Sequence, residues 1–228
     1  MSSCAPVLMT HQEVNMTIAD RKEREKEHRR IEIIDAAEKL FFTKGISNTT
    51  VDEVAEEAEL SKGTIYLYYK SKEELYAAII LRGLILLKGM MIKSISTRKN
   101  GLNKLYAMGM ALYKFHKKYP NYFEAVFYHG LVSVNLTGEC GFKSSCVVTG
   151  NEMLKLTISV IVEGIKDGSI RSDIDPHKVA LSLYGMTSGL IRVVSLEEQD
   201  LLKHHKTTPE ELIKYSYELI VHSLKRKK

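Results

Sequence analysis

The sequence predicts an all-α protein: an N-terminal three-helix unit containing a helix-turn-helix, followed by a larger helical domain. Three observations carry this reading. Apolar residues recur at helical spacing through most of the chain. No segment sustains a period of two, and no Asn-Gly or Asp-Gly turn joins two β-branched runs. Helix-start signals recur ahead of the apolar stretches, at Thr50-Val-Asp-Glu53, Ser71-Lys-Glu-Glu74, Asp175-Pro176 and Thr208-Pro209-Glu-Glu211.

In chain order, the mixed-charge run RKEREKEHRR (21–30) leads into Ile31, Ile34, Ala37 and Phe41, one face of a helix that stops at Lys44-Gly45. Thr50 and Glu53 form a capping box for a short helix with Val51, Val54, Ala55 and Ala58 inward. Ser61 caps a third short helix reaching about Tyr68, with Ile65 and Tyr69 spaced i, i+4. Ser71 opens a long fourth helix to about Ser96. Leu105, Met108, Leu112 and Phe115 stripe the next, and Pro120 starts another carrying Phe123 and Phe127. Residues 135–145, with two glycines, read as a loop. Further helices run from about Val147 to Lys166, from Pro176 to about Ser195, and from Pro209 to near Leu224.

The 228 residues, 44% hydrophobic and 27% charged, exclude collagen-like and wholly disordered chains. Three cysteines (Cys4, Cys140, Cys146) are too few for a disulfide scaffold and suit the reducing cytoplasm. The longest apolar run near the middle, Leu75–Leu81, ends at Arg82, short of the roughly 18 residues a membrane span needs, so no membrane partner is expected. The N-terminus lacks the basic and apolar regions of a signal peptide. The net charge is +5, but residues 76–123 carry nine basic and no acidic side chains, whereas residues 21–75 carry eleven basic and thirteen acidic. The basic middle is either an electrostatic footprint or the solvated face of long helices.

The third helix carries the functional signal. Ser61 and Lys62 stand at its N-terminus, where free amides attract phosphate. Gly63 lets a backbone come close, and Thr64 offers a hydroxyl and a methyl to a base edge. Tyr66 falls one turn after Lys62, and Lys72 is placed to clamp a phosphate. A plain three-helix packing unit explains the apolar spacing equally well, but not Gly63 and Thr64.

The stretch Ile31–Ile80 resembles the DNA-binding domain of the tetracycline-repressor (TetR) family of bacterial transcriptional regulators. The matching residues are Ala36-Ala37, Leu40-Phe41, Gly45, Thr49-Thr50-Val51, Val54-Ala55, Leu60-Ser61-Lys62-Gly63-Thr64-Ile65-Tyr66 and Tyr69-Lys70-Ser71-Lys72-Glu73-Glu74-Leu75. The resemblance implies a homodimer that binds a palindromic double-stranded DNA operator and is released by a small-molecule effector. It extends the DNA contacts to Thr50, Leu67 and Tyr68, beside Ser61, Lys62, Gly63, Thr64, Tyr66 and Lys72. Glu59 stands where the family's turn usually has glycine. The division that follows is a flexible extension over 1–20, a DNA-binding domain over 21–75, and an effector and dimerisation domain over 76–228.

Two expectations concern that last domain. The helix from Pro176 carries Val179, Leu183, Met186, Leu190 and Val194, with Gly185 and Gly189 allowing close approach. The final helix carries two apolar stripes, Leu212, Tyr215, Leu219 and Ile213, Tyr217, Ile220, Leu224. One stripe covers a chain's own core, and a second suits a dimer interface of Val179, Leu183, Gly185, Met186, Gly189, Leu190, Leu212, Tyr215 and Leu219. Met108, Leu112, Phe115, Phe123, Phe127, Met153 and Tyr184 fall on inward positions of several helices and fit a cavity wall, with Tyr113, His116 and Ser188 as polar contacts. The ligand expected there is apolar or aromatic; a filled core is the alternative.

No Gly-rich phosphate loop, nucleophile elbow or His-Glu-x-x-His motif is present, so no catalytic residue, cofactor or metal site is assigned. His204-His205 reads as a solvated pair in a loop. Cys140 and Cys146 read as small residues or a redox pair, with only Lys143 near enough in sequence to lower a thiol pKa. Three classes stay open: a ligand-responsive repressor, a sequence-independent DNA-binding protein and a helical enzyme. The residues do not name the effector or operator, nor decide between repressor and activator.

Overall fold

The computed structural model of the chain describes residues 18–129, 141–196 and 198–226. Among them are ten α-helices and one π turn, with no β-strand beyond an isolated antiparallel bridge between Ile170 and Lys225. The helices are α1 (Ile18–Lys44), α2 (Val51–Glu57), α3 (Lys62–Tyr68), α4 (Lys72–Ile95), α5 (Gly101–Lys118) and α6 (Pro120–Glu124). The π turn (Ala125–His129) follows α6 directly, and then come α7 (Phe142–Lys166), α8 (Pro176–Leu196), α9 (Glu198–His205) and α10 (Pro209–Leu224).

Local capping sets these boundaries. The Thr50 hydroxyl accepts from the Glu53 amide while the Glu53 carboxylate accepts from the Thr50 amide, and Thr208 with Glu211 repeats the box at α10. The Ser61 and Ser71 hydroxyls accept from the amides of Thr64 and Glu74. Lys44 is paired with Glu53, and with the Thr50 hydrogen bonds this holds the Glu53 carboxyl down at about 2.

Helices α1 to α3 close around Ile33, Ala37, Val54, Ile65 and Tyr69, all nearly inaccessible to solvent. Ile31, expected on the inner face of α1, is exposed; the buried stripe starts at Ile33. Helix α4 belongs both to this unit and to the larger bundle, where it packs on α5 and α7. Its residues Leu75 to Ile80 are buried without interruption because neighbours surround it. A second apolar cluster, including Leu102, Val160, Ile161 and Ile170, lies between α5 and α7 and reaches Ala180 of α8 and Leu224 of α10.

Several expectations need correction. Helix α1 begins at Ile18, so the last three residues of the segment 1–20 are helical, and residues 1–17 lie outside the described residues. Helix α7 starts at Phe142, immediately after Gly141 at φ +79°, so residues 142–145 are helix, not loop; residues 135–140 lie outside the described residues. His204 and His205 close helix α9. Helices α4, α7 and α8 are each long and apolar enough, by length and composition, to cross a bilayer, which the uninterrupted-run argument missed. In α4 half of that apolar stretch is buried inside the bundle; in α7 and α8 about a fifth is, so these two helices carry more exposed apolar surface.

Candidate functional site

Helix α2 ends in a hydrogen-bonded stop that aims α3. The Glu59 amide bonds the Glu56 carbonyl and the Leu60 amide bonds the Ala55 carbonyl. This motif needs a left-handed residue, and Glu59 takes φ +54°. The turn thus keeps the geometry glycine would give and bears the Cβ–carbonyl crowding that glycine avoids. Glu59→Gly is expected to raise stability by about 0.5–1 kcal/mol, read as a higher midpoint in chemical denaturation. A midpoint at or below the parent's would show that the turn relaxes around the glutamate without strain.

Beyond that turn, Ile65 and Tyr69 are buried, the Tyr69 hydroxyl donating to the Arg30 carbonyl at 3.3 Å. Ser61, Lys62, Gly63, Tyr66 and Leu67 are exposed, Leu67 to 83%, while Thr64 and Tyr68 are half-buried. A Cβ on Gly63 would meet nothing in this chain closer than the Ser61 hydroxyl at 3.8 Å, so internal packing does not require glycine there. Thr50 is exposed at the head of α2. The Lys62 ammonium contacts the Asp52 carboxylate at 2.7 Å, which raises its pKa. Lys72 departs from expectation. Its ammonium donates to the carbonyls of Ile46 and Thr49, at 2.8 and 3.0 Å, and so ties the α1–α2 loop to α4. Two of its three protons are engaged in holding the unit together.

The larger bundle holds a half-open cavity of about 390 Å³. Of the residues expected at its wall, Met108, Leu112, Phe127, Met153 and Tyr184 line it. Phe115 and Phe123 are fully buried in the core instead, Phe123 stacked on Phe127 with ring centroids 4.6 Å apart. The three expected polar contacts are also elsewhere. Tyr113 is buried off the cavity. His116 packs edge-on against Phe123, with Nε2 3.0 Å from the Ser195 hydroxyl. The Ser188 hydroxyl donates back to the Tyr184 carbonyl. The polar groups that do reach the wall include Tyr106, Thr187 and Tyr217. Tyr217 was assigned from sequence to the inner stripe of the last helix. Its access to the wall depends on how α10 crosses α5 at Gly109, where a Cβ would sit 2.0 Å from the Tyr217 ring.

The outer faces of α8 and α10 are apolar. Met186, Val193 and Leu196 on α8 and Tyr215 and Leu219 on α10 are exposed, and Gly185 and Gly189 have open space above them. The second stripe of α10 thus lacks a partner within the described residues, while Ile213, Tyr217 and Leu224 are buried as expected. Other assigned interface residues turn inward. Val179, Leu183, Leu190 and Leu212 are half-buried against the chain's own core, Leu183 on the cavity wall, and Val194 is buried.

Cys146 is buried in α7, its thiol donating to the Ala77 carbonyl, and burial pushes its pKa up to about 11. A thiol so held is not a nucleophile at neutral pH; Cys4 and Cys140 lie outside the described residues. Among the described residues no group of His, Cys, Asp or Glu could hold a metal.

Comparison with known proteins gives one consistent result. The family model described as "Bacterial regulatory proteins, tetR family" matches residues 33–79, which span the core of α1 to α4. The transcriptional repressor KstR2 of Mycolicibacterium smegmatis is 29% identical over 153 residues, covering 64% of this chain and 70% of that protein. The match to the regulator TtgR of Pseudomonas putida is shorter, 37% identical over 60 residues and 29% of that protein. The solved structure of the ketosteroid transcriptional regulator KstR2 of Mycobacterium tuberculosis superposes with a TM-score of 0.63 at 19% identity, covering 87% of this chain and 96% of that one. That of FadR from Bacillus subtilis in complex with stearoyl-CoA gives 0.66 at 19% identity, covering 85% and 98%. At that identity the likeness concerns the fold.

Proposed function

We propose that this chain is a TetR-family transcriptional regulator rather than an enzyme, a repressor that binds a palindromic operator as a homodimer and is released by a small apolar or aromatic effector. In this reading residues 21–75 form the DNA-binding domain, residues 76–228 form the effector and dimerisation domain, and the cytoplasm is the site of action. The observation that carries it is the division of α3 into a buried edge, Ile65 and Tyr69, and an exposed edge, Lys62, Gly63, Tyr66 and Leu67, that no other part of the described chain covers. Thr50, Ser61, Thr64 and Tyr68 flank that edge. Lys72 acts by holding the loop before α2, with one ammonium proton left for a phosphate.

Dimerisation is supported by the exposed apolar faces of α8 and α10, which would close a four-helix contact between two copies. The effector reading is supported by the apolar cavity. Structural neighbours described by a ketosteroid and by stearoyl-CoA share one element with this reading, a large apolar portion of the named molecule, although stearoyl-CoA also carries a charged coenzyme A group.

The test is footprinting of the full-length protein on DNA flanking its own gene. Lys62→Ala and Tyr66→Ala are each expected to weaken specific binding by about 1–3 kcal/mol with unchanged melting. Parent-like footprints for both would remove α3 as the reading helix, and protection without sequence preference would favour a sequence-independent binder. Leu112→Trp, which fills the cavity, is expected to abolish release by any effector that dissociates the parent. A monomeric mass at micromolar concentration would reject the dimer.

A further inference from the structure

We infer that the cavity takes an uncharged, mainly apolar ligand bearing one oxygen that accepts a hydrogen bond from the Tyr217 hydroxyl, beside Thr187. This rests on the effector reading above and narrows it to a ligand class.

Among the described residues that line the cavity, none is Asp, Glu, Lys, Arg or His. A charged group buried against these residues would lose its hydration with no counter-charge among them, so a carboxylate or ammonium placed there is disfavoured. Two of the wall's polar side chains are engaged with backbone, the Thr157 hydroxyl donating to the Met153 carbonyl and the Cys146 thiol to the Ala77 carbonyl; Tyr106, Asn151, Tyr184, Thr187 and Tyr217 are the others.

Tyr217 differs. It is 4% exposed, and its hydroxyl makes no well-formed hydrogen bond to the described residues; the Thr187 hydroxyl approaches it closely enough to lower its pKa, and Tyr106 also acts on it. Its ring is fixed on two sides, by the bare backbone of Gly109 and by the edge-on ring of Tyr106, with centroids 6.1 Å apart. The hydroxyl therefore cannot swing out to find a partner. Burial raises its pKa, so it stays protonated and acts as a donor. A buried polar group without a partner costs free energy that a bound acceptor restores, and a rigid donor gives up little entropy when it bonds. Ketone, ester and ether oxygens meet this requirement, whereas a hydrocarbon leaves the hydroxyl unsatisfied.

The test uses three probes of one shape, 2-acetylnaphthalene, 2-ethylnaphthalene and 2-naphthoate, titrated calorimetrically into the full-length protein and into Tyr217→Phe. The parent is expected to bind the ketone roughly fivefold more tightly than the hydrocarbon, and the carboxylate weakest. In Tyr217→Phe the ketone should lose that advantage while the hydrocarbon is unaffected. The variant should melt no lower than the parent, because it removes an unsatisfied hydroxyl without changing the ring. Equal binding of ketone and hydrocarbon by the parent, an advantage that persists in Tyr217→Phe, or preference for the carboxylate would each overturn the inference and leave the cavity as a ligand site. If the parent binds none of the three, the cavity reading falls and takes this inference with it.

Discussion

Gly101→Ala is expected to destabilise the protein by about 3 kcal/mol or more, a fall in melting temperature of about 6–12 °C. A Cβ at this position would lie 2.3 Å from the backbone nitrogen and Cα of Gly164 and 2.6 Å from the Val160 carbonyl oxygen. All three atoms are backbone, so no rotamer change relieves the overlap. The start of α5 is also fastened to the end of α7: the Gly101 amide donates to the Asp167 carboxylate at 2.7 Å and the Leu102 amide to the Ser169 hydroxyl at 3.1 Å. Relief requires the helices to part, which opens the cluster of Leu102, Val160, Ile161 and Ile170. Gly89→Ala is the control of opposite sign. A Cβ there meets nothing within 4 Å, and in mid-helix it should stabilise by about 0.5–1 kcal/mol. A parent-like melting temperature for Gly101→Ala would mean the two helices do not approach this closely in solution.

The second large effect is expected at Glu38. Its carboxylate accepts from the Arg82 guanidinium at 2.8 Å and from the Tyr122 hydroxyl at 2.5 Å, and Arg82 also bonds Asp35 at 2.7 Å. One side chain of α1 thereby joins α4 and α6. With the Glu38 and Arg82 side chains 23% and 29% exposed, Glu38→Ala removes the carboxylate shared by a largely buried guanidinium and the Tyr122 hydroxyl, leaving Arg82 with Asp35 and Tyr122. We expect a loss of about 2 kcal/mol, between the surface and fully buried cases. Tyr122 lies one turn before Val126 and Phe127, which line the cavity, so the same variant should also weaken communication. Operator affinity measured with and without effector should differ less than in the parent. Glu38→Gln, which can still accept from Tyr122, should fall between the two. A full effector response in Glu38→Ala would place the coupling in another contact between α1 and the bundle.

Much of this was legible in the chain because caps and helical periods are local. Thr50 with Glu53 and Thr208 with Glu211 set their helices within a few residues, and Ile65 with Tyr69 fixed the buried edge of α3. What failed was tertiary. The second role of Lys72, tying the loop before α2, was not legible because the carbonyls it holds come from residues more than twenty positions earlier. Tyr113, His116 and Ser188 were assigned by the phase of their own helices, but the cavity is defined by how α10 crosses α5. The residue that permits that crossing, Gly109, has no side chain to signal it. The start of α7 was missed because Gly141 reads as loop whether a helix follows or not.

The π turn at Ala125–His129 acts as a phase shifter between two aromatic faces. An α-helix advances each residue by about 100°, and a π turn accommodates one extra residue without breaking the chain of backbone bonds. Tyr122 upstream addresses Glu38 of α1, while Phe127 downstream addresses the cavity and the ring of Tyr184, 5.9 Å away. Excising one residue here would restore a regular helix and rotate one face about 100° against the other. Length, and not only composition, is therefore constrained at this spot: a chain of this fold lacking the extra residue would have to build its cavity wall or its contact with α1 from different side chains.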